Sequence, residues 1–111
     1  MPGMPTGTVT FLFTDIEGST ARWEREPGEV EVDLARHDAL LRKAIESHGG
    51  TVFQTLGHAF CAVFATAPAA LAAALAAQAA LDSMGAPGRC SFDVRMALHS
   101  ATLRRRRARV A

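Results

Sequence analysis

Apolar positions recur along the chain with two periods, and the change of period divides it into elements. Thr8-Val9-Thr10-Phe11-Leu12-Phe13 is β-branched and aromatic, which predicts a central buried strand ending at Thr14-Asp15. Gly18-Ser19-Thr20 then opens a predicted helix, with Ser19 or Thr20 as N-cap and Trp23 in its first turns. Over residues 30–48 the apolar side chains Val30, Leu34, Leu41 and Ile45 keep to one helical face. His48-Gly49-Gly50 predicts the stop of that helix. Residues 51–56 and 60–64 read as two short strands joined by Gly57-His58-Ala59, a hairpin-sized connection. Pro68 marks the start of an alanine-rich helix that runs to Ser83. After the loop Gly85-Ala86-Pro87-Gly88, residues 92–99 alternate as a strand does, with Phe92, Val94, Met96 and Leu98 facing one way.

The predicted order is therefore β-α-α-β-β-α-β. An antiparallel hairpin flanked by helix-linked strands fits an α/β (α+β) fold of the ferredoxin-like sandwich type. The length of 111 residues is that of one small domain. Residues 1–7 read as a disordered lead-in, 8–100 as the domain and 101–111 as a basic tail without pattern. Residues 60–81 carry no charge and are long enough to span a bilayer. Pro68 interrupts that run, Thr66 and Gln78 punctuate it, and alanine inserts weakly, so a strand followed by a buried helix is expected, with no membrane span.

Composition changes this picture little, and charge changes it more. The apolar fraction of 49% suits a globular domain, but the 6% of aromatic residues predicts a core of small pieces. Five of the twelve basic residues, Arg104, Arg105, Arg106, Arg107 and Arg109, crowd the last eight positions, leaving seven against eleven acidic ones before them. An acidic body with a basic end is unlike a nucleic-acid-binding face, so no nucleic acid partner is expected. Cys61 and Cys90 show no paired or metal-binding spacing and read as reduced thiols of a cytoplasmic protein. No charged leader precedes an apolar stretch at the N-terminus, so export is not indicated.

The strongest chemical signal is Phe11-Leu12-Phe13-Thr14-Asp15-Ile16-Glu17-Gly18-Ser19-Thr20. A carboxylate at the end of a buried strand points into whatever cleft opens there. The Gly-Ser-Thr behind it offers backbone N–H groups at a helix start, where anionic phosphate is favoured. Read without further context, Asp15 is also an ordinary strand cap that satisfies nearby backbone amides.

Four blocks in order supply that context: TVTFLFTDIEGSTARWE, HDALLRKAIESHGGTVFQTLGHAF, APAALAAALAAQAAL and VRMALHS. Together they resemble the first part of class III nucleotide cyclase (adenylate/guanylate cyclase) catalytic domains. The resemblance implies cyclic nucleotide synthesis from ATP or GTP by two divalent ions, Mg or Mn, at the interface of a head-to-tail dimer. It places Asp15 at the first metal-binding carboxylate and the Ile16 carbonyl at the usual backbone ligand. Gly18, Ser19 and Thr20 match the phosphate-binding turn. At the family's second metal-binding Asp this chain has His58, a borderline-soft ligand that is poorly matched to Mg²⁺. Gln54 falls at the base-reading position, where its amide both donates and accepts, so ATP and GTP stay open.

After Ser100 the match ends: the family's Asn and Arg of a later helix have no counterpart, and no Asn occurs in the sequence. A truncated or frameshifted reading frame is the expectation, and with it a cyclase-type domain inactive or impaired alone. The alternative is a non-catalytic interaction or nucleotide-binding module that forms a homodimer, or a heterodimer with an intact cyclase subunit. FLFTDIEGST also bears a superficial similarity to phosphatases that carry Asp-x-Asp-Gly-Thr after a buried strand. Glu17 stands at the second acid here, and no later Lys or paired acidic ligands follow in a large α/β sheet, which disfavours that reading.

Overall fold

The structure, a computed structural model, describes residues 7–17, 27–84 and 93–103. Its elements are β1 (Gly7–Glu17), α1 (Pro27–Ser47), β2 (Thr51–Leu56), β3 (Ala59–Phe64), α2 (Ala67–Met84) and β4 (Asp93–Leu103). The helix expected at Ser19–Thr20 and Trp23 lies outside the described residues, as do the Gly85–Gly88 loop and Cys90.

The strands form one antiparallel sheet in the order β2-β3-β1-β4. Each strand–helix–strand passage thus skips over a neighbour, which is the split βαβ arrangement of the ferredoxin-like sandwich. As expected, β1 is an interior strand. It reaches further than the apolar run, to Glu17, because β4 pairs with it along its whole length, from Gly7 opposite Leu103 to Glu17 opposite Asp93. For the same reason β4 does not end at His99 but continues to Leu103. The hydroxyls of Thr10 and Ser100, 2.8 Å apart, join the two strands.

Both helices lie on one face of the sheet. Along α1 the buried residues Val30, Leu34, His37, Leu41, Ala44 and Ile45 follow the helical repeat. Leu41, Ala44 and Ile45 meet Leu12, Phe60 and Phe64 from the strands in one cluster, while Val30 and Leu34 pack with Ile16 in a second. The helix stops where the sequence predicts, in a Schellman motif. Gly50 N–H donates to the Ile45 carbonyl at 2.9 Å and Gly49 N–H to that of Glu46 at 3.1 Å, with Gly49 at φ 82°. Thr66 opens α2 by accepting from the Ala69 N–H at 3.3 Å.

One expectation is corrected: α2 is not a helix buried all round. Its alanines Ala70, Ala73 and Ala77 are fully buried while Leu71 and Leu75 are 49% and 62% exposed. Small side chains at the contact positions let the helix lie close to the sheet and to α1, and the leucines occupy its other side. Gln78, on the same helix, donates to the Val94 carbonyl at 3.2 Å. Among the described residues no helix is long and apolar enough to cross a membrane.

The core also explains why β1 reads as buried on both sides although it is not. Leu12, Thr14 and Ile16 point to the helices, whereas Phe13 and Asp15 are exposed on the opposite, open face. Phe11 stacks on Phe13 with ring centroids 5.9 Å apart and meets Phe53 edge-on at the same distance. Aromatic packing within the open face makes the sequence apolar without a covering layer.

Candidate functional site

Register decides which side chains meet on the open face. The β2–β3 hairpin closes through Gly57-His58, with Leu56 opposite Ala59. Gly57 has φ 60° and no positive φ occurs at a described residue other than glycine, the pattern of a type II′ turn that wants Gly first. Thr14 pairs with Phe60 on β3 and with Met96 on β4. Its hydroxyl accepts from the Phe60 N–H at 3.3 Å, tying the two strands at the level where the site begins. Asp15 therefore stands in the interior of the sheet, flanked by β4 and by the start of β3.

A groove of about 340 Å³ opens there, lined by Phe13, Asp15, Ala59, Cys61, Arg95 and Ala97 together with Thr14, Phe60 and Met96. The one carboxylate among its described lining residues is engaged: Arg95 Nη2 donates to Asp15 Oδ2 at 3.1 Å. The pair is open to solvent, with 63% and 56% of the two side chains exposed, so its net worth is about 0.2–1 kcal/mol.

His58 does not face this groove. Its Nδ1 is turned to helix α1, 3.8 Å from Asp38 Oδ2, which is beyond hydrogen-bond reach. The other oxygen of Asp38 accepts from His37 Nδ1 at 2.8 Å. The His37 ring is fully buried, edge-on to Phe60 with centroids 6.2 Å apart. His37, Asp38 and His58 thus form a polar chain between α1 and the hairpin turn.

Of the residues singled out in the sequence, Asp15 lines the groove. The Ile16 side chain is buried on the other face with Val30 and Leu34. Gln54 is opposite Cys61 across a bulge between Val52 and Gln54. It lines a separate depression of about 230 Å³ with Arg42, Phe53 and Thr55. Gly18, Ser19 and Thr20 lie outside the described residues. Sequence reasoning missed Arg95 and Asp38. The alternation of β4 puts Arg95 on the open face, but only the register puts it opposite Asp15.

The donors among the described residues do not fit a two-ion centre. Hard divalent ions need several convergent oxygens. The groove offers one carboxylate already held by a guanidinium, and among the described residues no three His, Cys, Asp or Glu side chains gather to hold a metal.

Comparison with known proteins agrees with the fold and the motif order. The family model of the "Adenylate and Guanylate cyclase catalytic domain" matches residues 1–102. An adenylate cyclase of Schizosaccharomyces pombe is 39% identical over 67 residues, which is 60% of this chain and 4% of that protein. An uncharacterized protein of Mycobacterium tuberculosis is 41% identical over 73 residues, 64% of this chain and 26% of its own length. Among solved structures, a Trypanosoma brucei adenylate cyclase superposes with a TM-score of 0.77 at 26% identity. That match covers 91% of this chain and 59% of the other. The chain thus spans a small part of these curated relatives and somewhat over half of the solved domain.

Proposed function

The chain belongs to the adenylate and guanylate cyclase catalytic domain family, and from that premise we propose that it is a nucleoside-triphosphate-binding part of such a domain that does not complete cyclisation on its own. The observation that supports this reading is the pair of side chains at the expected metal positions. Asp15 is paired with Arg95, and His58 is turned to Asp38. A divalent ion, when bound in this family, neutralises the triphosphate and activates a hydroxyl. With one engaged carboxylate and an imidazole facing elsewhere, Mg²⁺ or Mn²⁺ is held weakly. What remains is binding: Gly18, Ser19 and Thr20 take the phosphates, and Gln54 faces the purine of ATP or GTP without choosing between them.

Without the second carboxylate the dications that offset the developing negative charge are held less firmly, and losing one group that offsets such charge costs about 10²–10³-fold in rate. The test is product formation by the purified chain with ATP and with GTP, each in Mg²⁺ and in Mn²⁺, beside Asp15→Ala. No product from a folded sample is expected. Cyclic nucleotide made by the native chain and abolished in the variant overturns the proposal.

A second reading, an interaction module that pairs with another cyclase domain, is favoured by one feature. Phe13 and Phe53 are 40% and 41% exposed on the open face. It requires that association survive Asp15→Ala.

A further inference from the structure

Asp15 and Arg95 are Cα partners across β1 and β4. Side chains directly opposite on antiparallel strands are held about 4.5–5.5 Å apart at Cβ, so opposite charges there are brought together by the backbone itself. Two positions further along the same face, Glu17 stands directly opposite Asp93. This end of the sheet therefore carries three carboxylates, Asp15, Glu17 and Asp93, and one guanidinium among its described residues. Like charges set directly opposite repel, and Arg95 is the group placed to offset them.

We propose that Arg95 is the resident cation of the groove, holding the Asp15 carboxylate where a divalent ion would have to bind, so that metal reaches Asp15 only by displacing the guanidinium. The inference rests on the reading of this groove as the nucleotide site, and it names what regulates cation access to it. A guanidinium is charged at every working pH and is tethered, so it is present at high local concentration without any metal in solution. A dication approaching Asp15 is repelled by it and finds one of the two carboxylate oxygens already used. The pair is exposed, so the block is graded and a sufficient metal concentration overcomes it.

The experiment is a titration of the full chain with Mn²⁺ alone, free Mn²⁺ being read by electron paramagnetic resonance. Arg95→Met keeps the aliphatic stem and removes the charge. It is expected to bind Mn²⁺ about tenfold more tightly, the size of a unit charge acting on a dication about 6 Å away in the water-like dielectric of an exposed pair. Arg95→Lys is expected to stay within about twofold of the native chain, because the charge is kept. The gain must disappear in Asp15→Asn/Arg95→Met. Arg95→Met binding no more tightly than the native chain overturns the proposal, and so does a gain that survives the Asp15→Asn change. Arg95→Gln is the second neutral variant, and circular dichroism verifies that each is folded. No nucleotide is present, so turnover by the native chain would sink the proposed function without touching this result, and equal Mn²⁺ affinities would sink this inference alone.

Discussion

His37 and Asp38 are successive residues on α1, yet their side chains close a 2.8 Å hydrogen bond while the imidazole is entirely buried. Asp38 therefore satisfies a polar group in the interior and also faces His58 in the hairpin turn. Removing the carboxylate leaves the His37 Nδ1–H without this acceptor inside the packed layer. Asp38→Ala is expected to lower stability by about 1–3 kcal/mol. His58→Ala, at a partly exposed contact of 3.8 Å, should cost less than about 1 kcal/mol. Urea unfolding of the two variants ranks them. If His58→Ala proves the more damaging, the hairpin turn rather than the helix holds this polar chain together.

Gly50 is the tightest position at the end of α1. A Cβ there would stand 2.5 Å from two ring carbons of Phe64 and 2.8 Å from Ile45 Cγ2. Both neighbours are fully buried core residues with little room to yield. Gly50→Ala is accordingly expected to destabilise by about 1–3 kcal/mol through overpacking. Gly28, in the first turn of α1, has open space around the same construction and no positive φ. Gly28→Ala should be neutral or stabilising by up to about 1 kcal/mol. Equal effects of the two substitutions in thermal unfolding would contradict the packing argument.

The Gly49-Gly50 stop was legible because a helix end is a local event: the residues that accept and donate lie within six positions of one another. The two faces of β4 were legible from alternation in the same way, and so was the chain order that gives the sheet. What the sequence hides is register between distant segments. Nothing in the residues around Arg95 says that Asp15, on another strand, lies directly across from it. His58 is similar. Its type is plain in the sequence, but its turning to Asp38 depends on α1 lying beside the hairpin. The run Phe11-Leu12-Phe13 misleads for a further reason. Aromatic side chains that pack on one another across an open face look, in one dimension, like residues covered from above.

Alanine-rich α2 gives a prediction about which apolar residues matter. Leu75 is large and 62% exposed, whereas Leu12 of β1 is completely buried beneath both helices. Leu12→Ala is expected to cost about 2–5 kcal/mol, transfer and cavity terms together. Leu75→Ala should fall within about 0.5 kcal/mol of the native chain. Chemical denaturation at constant slope measures both. A large loss at Leu75 would mean that this side of α2 is covered in solution.

The open face poses the corresponding question for the sheet. Phe11, Phe13 and Phe53 form an aromatic patch beside the Asp15 groove, and because Phe13 and Phe53 are only 40% and 41% exposed, burying what remains of each is worth roughly 1 kcal/mol. A second copy of the chain that covers this face would recover that energy and enclose the groove at the same time. Phe13→Glu places a charge in the middle of the patch without disturbing the helix-facing core, since Phe13 points away from it. It is expected to weaken self-association by at least about tenfold, a difference of roughly 1.4 kcal/mol, while the unfolding midpoint hardly moves. Asp15→Asn, beside the same patch but outside the aromatic contact, should leave association intact. Sedimentation velocity over a range of concentrations distinguishes the cases. A native chain that stays monomeric, or a Phe13→Glu chain that associates as well as the native one, would exclude a homodimer through this face.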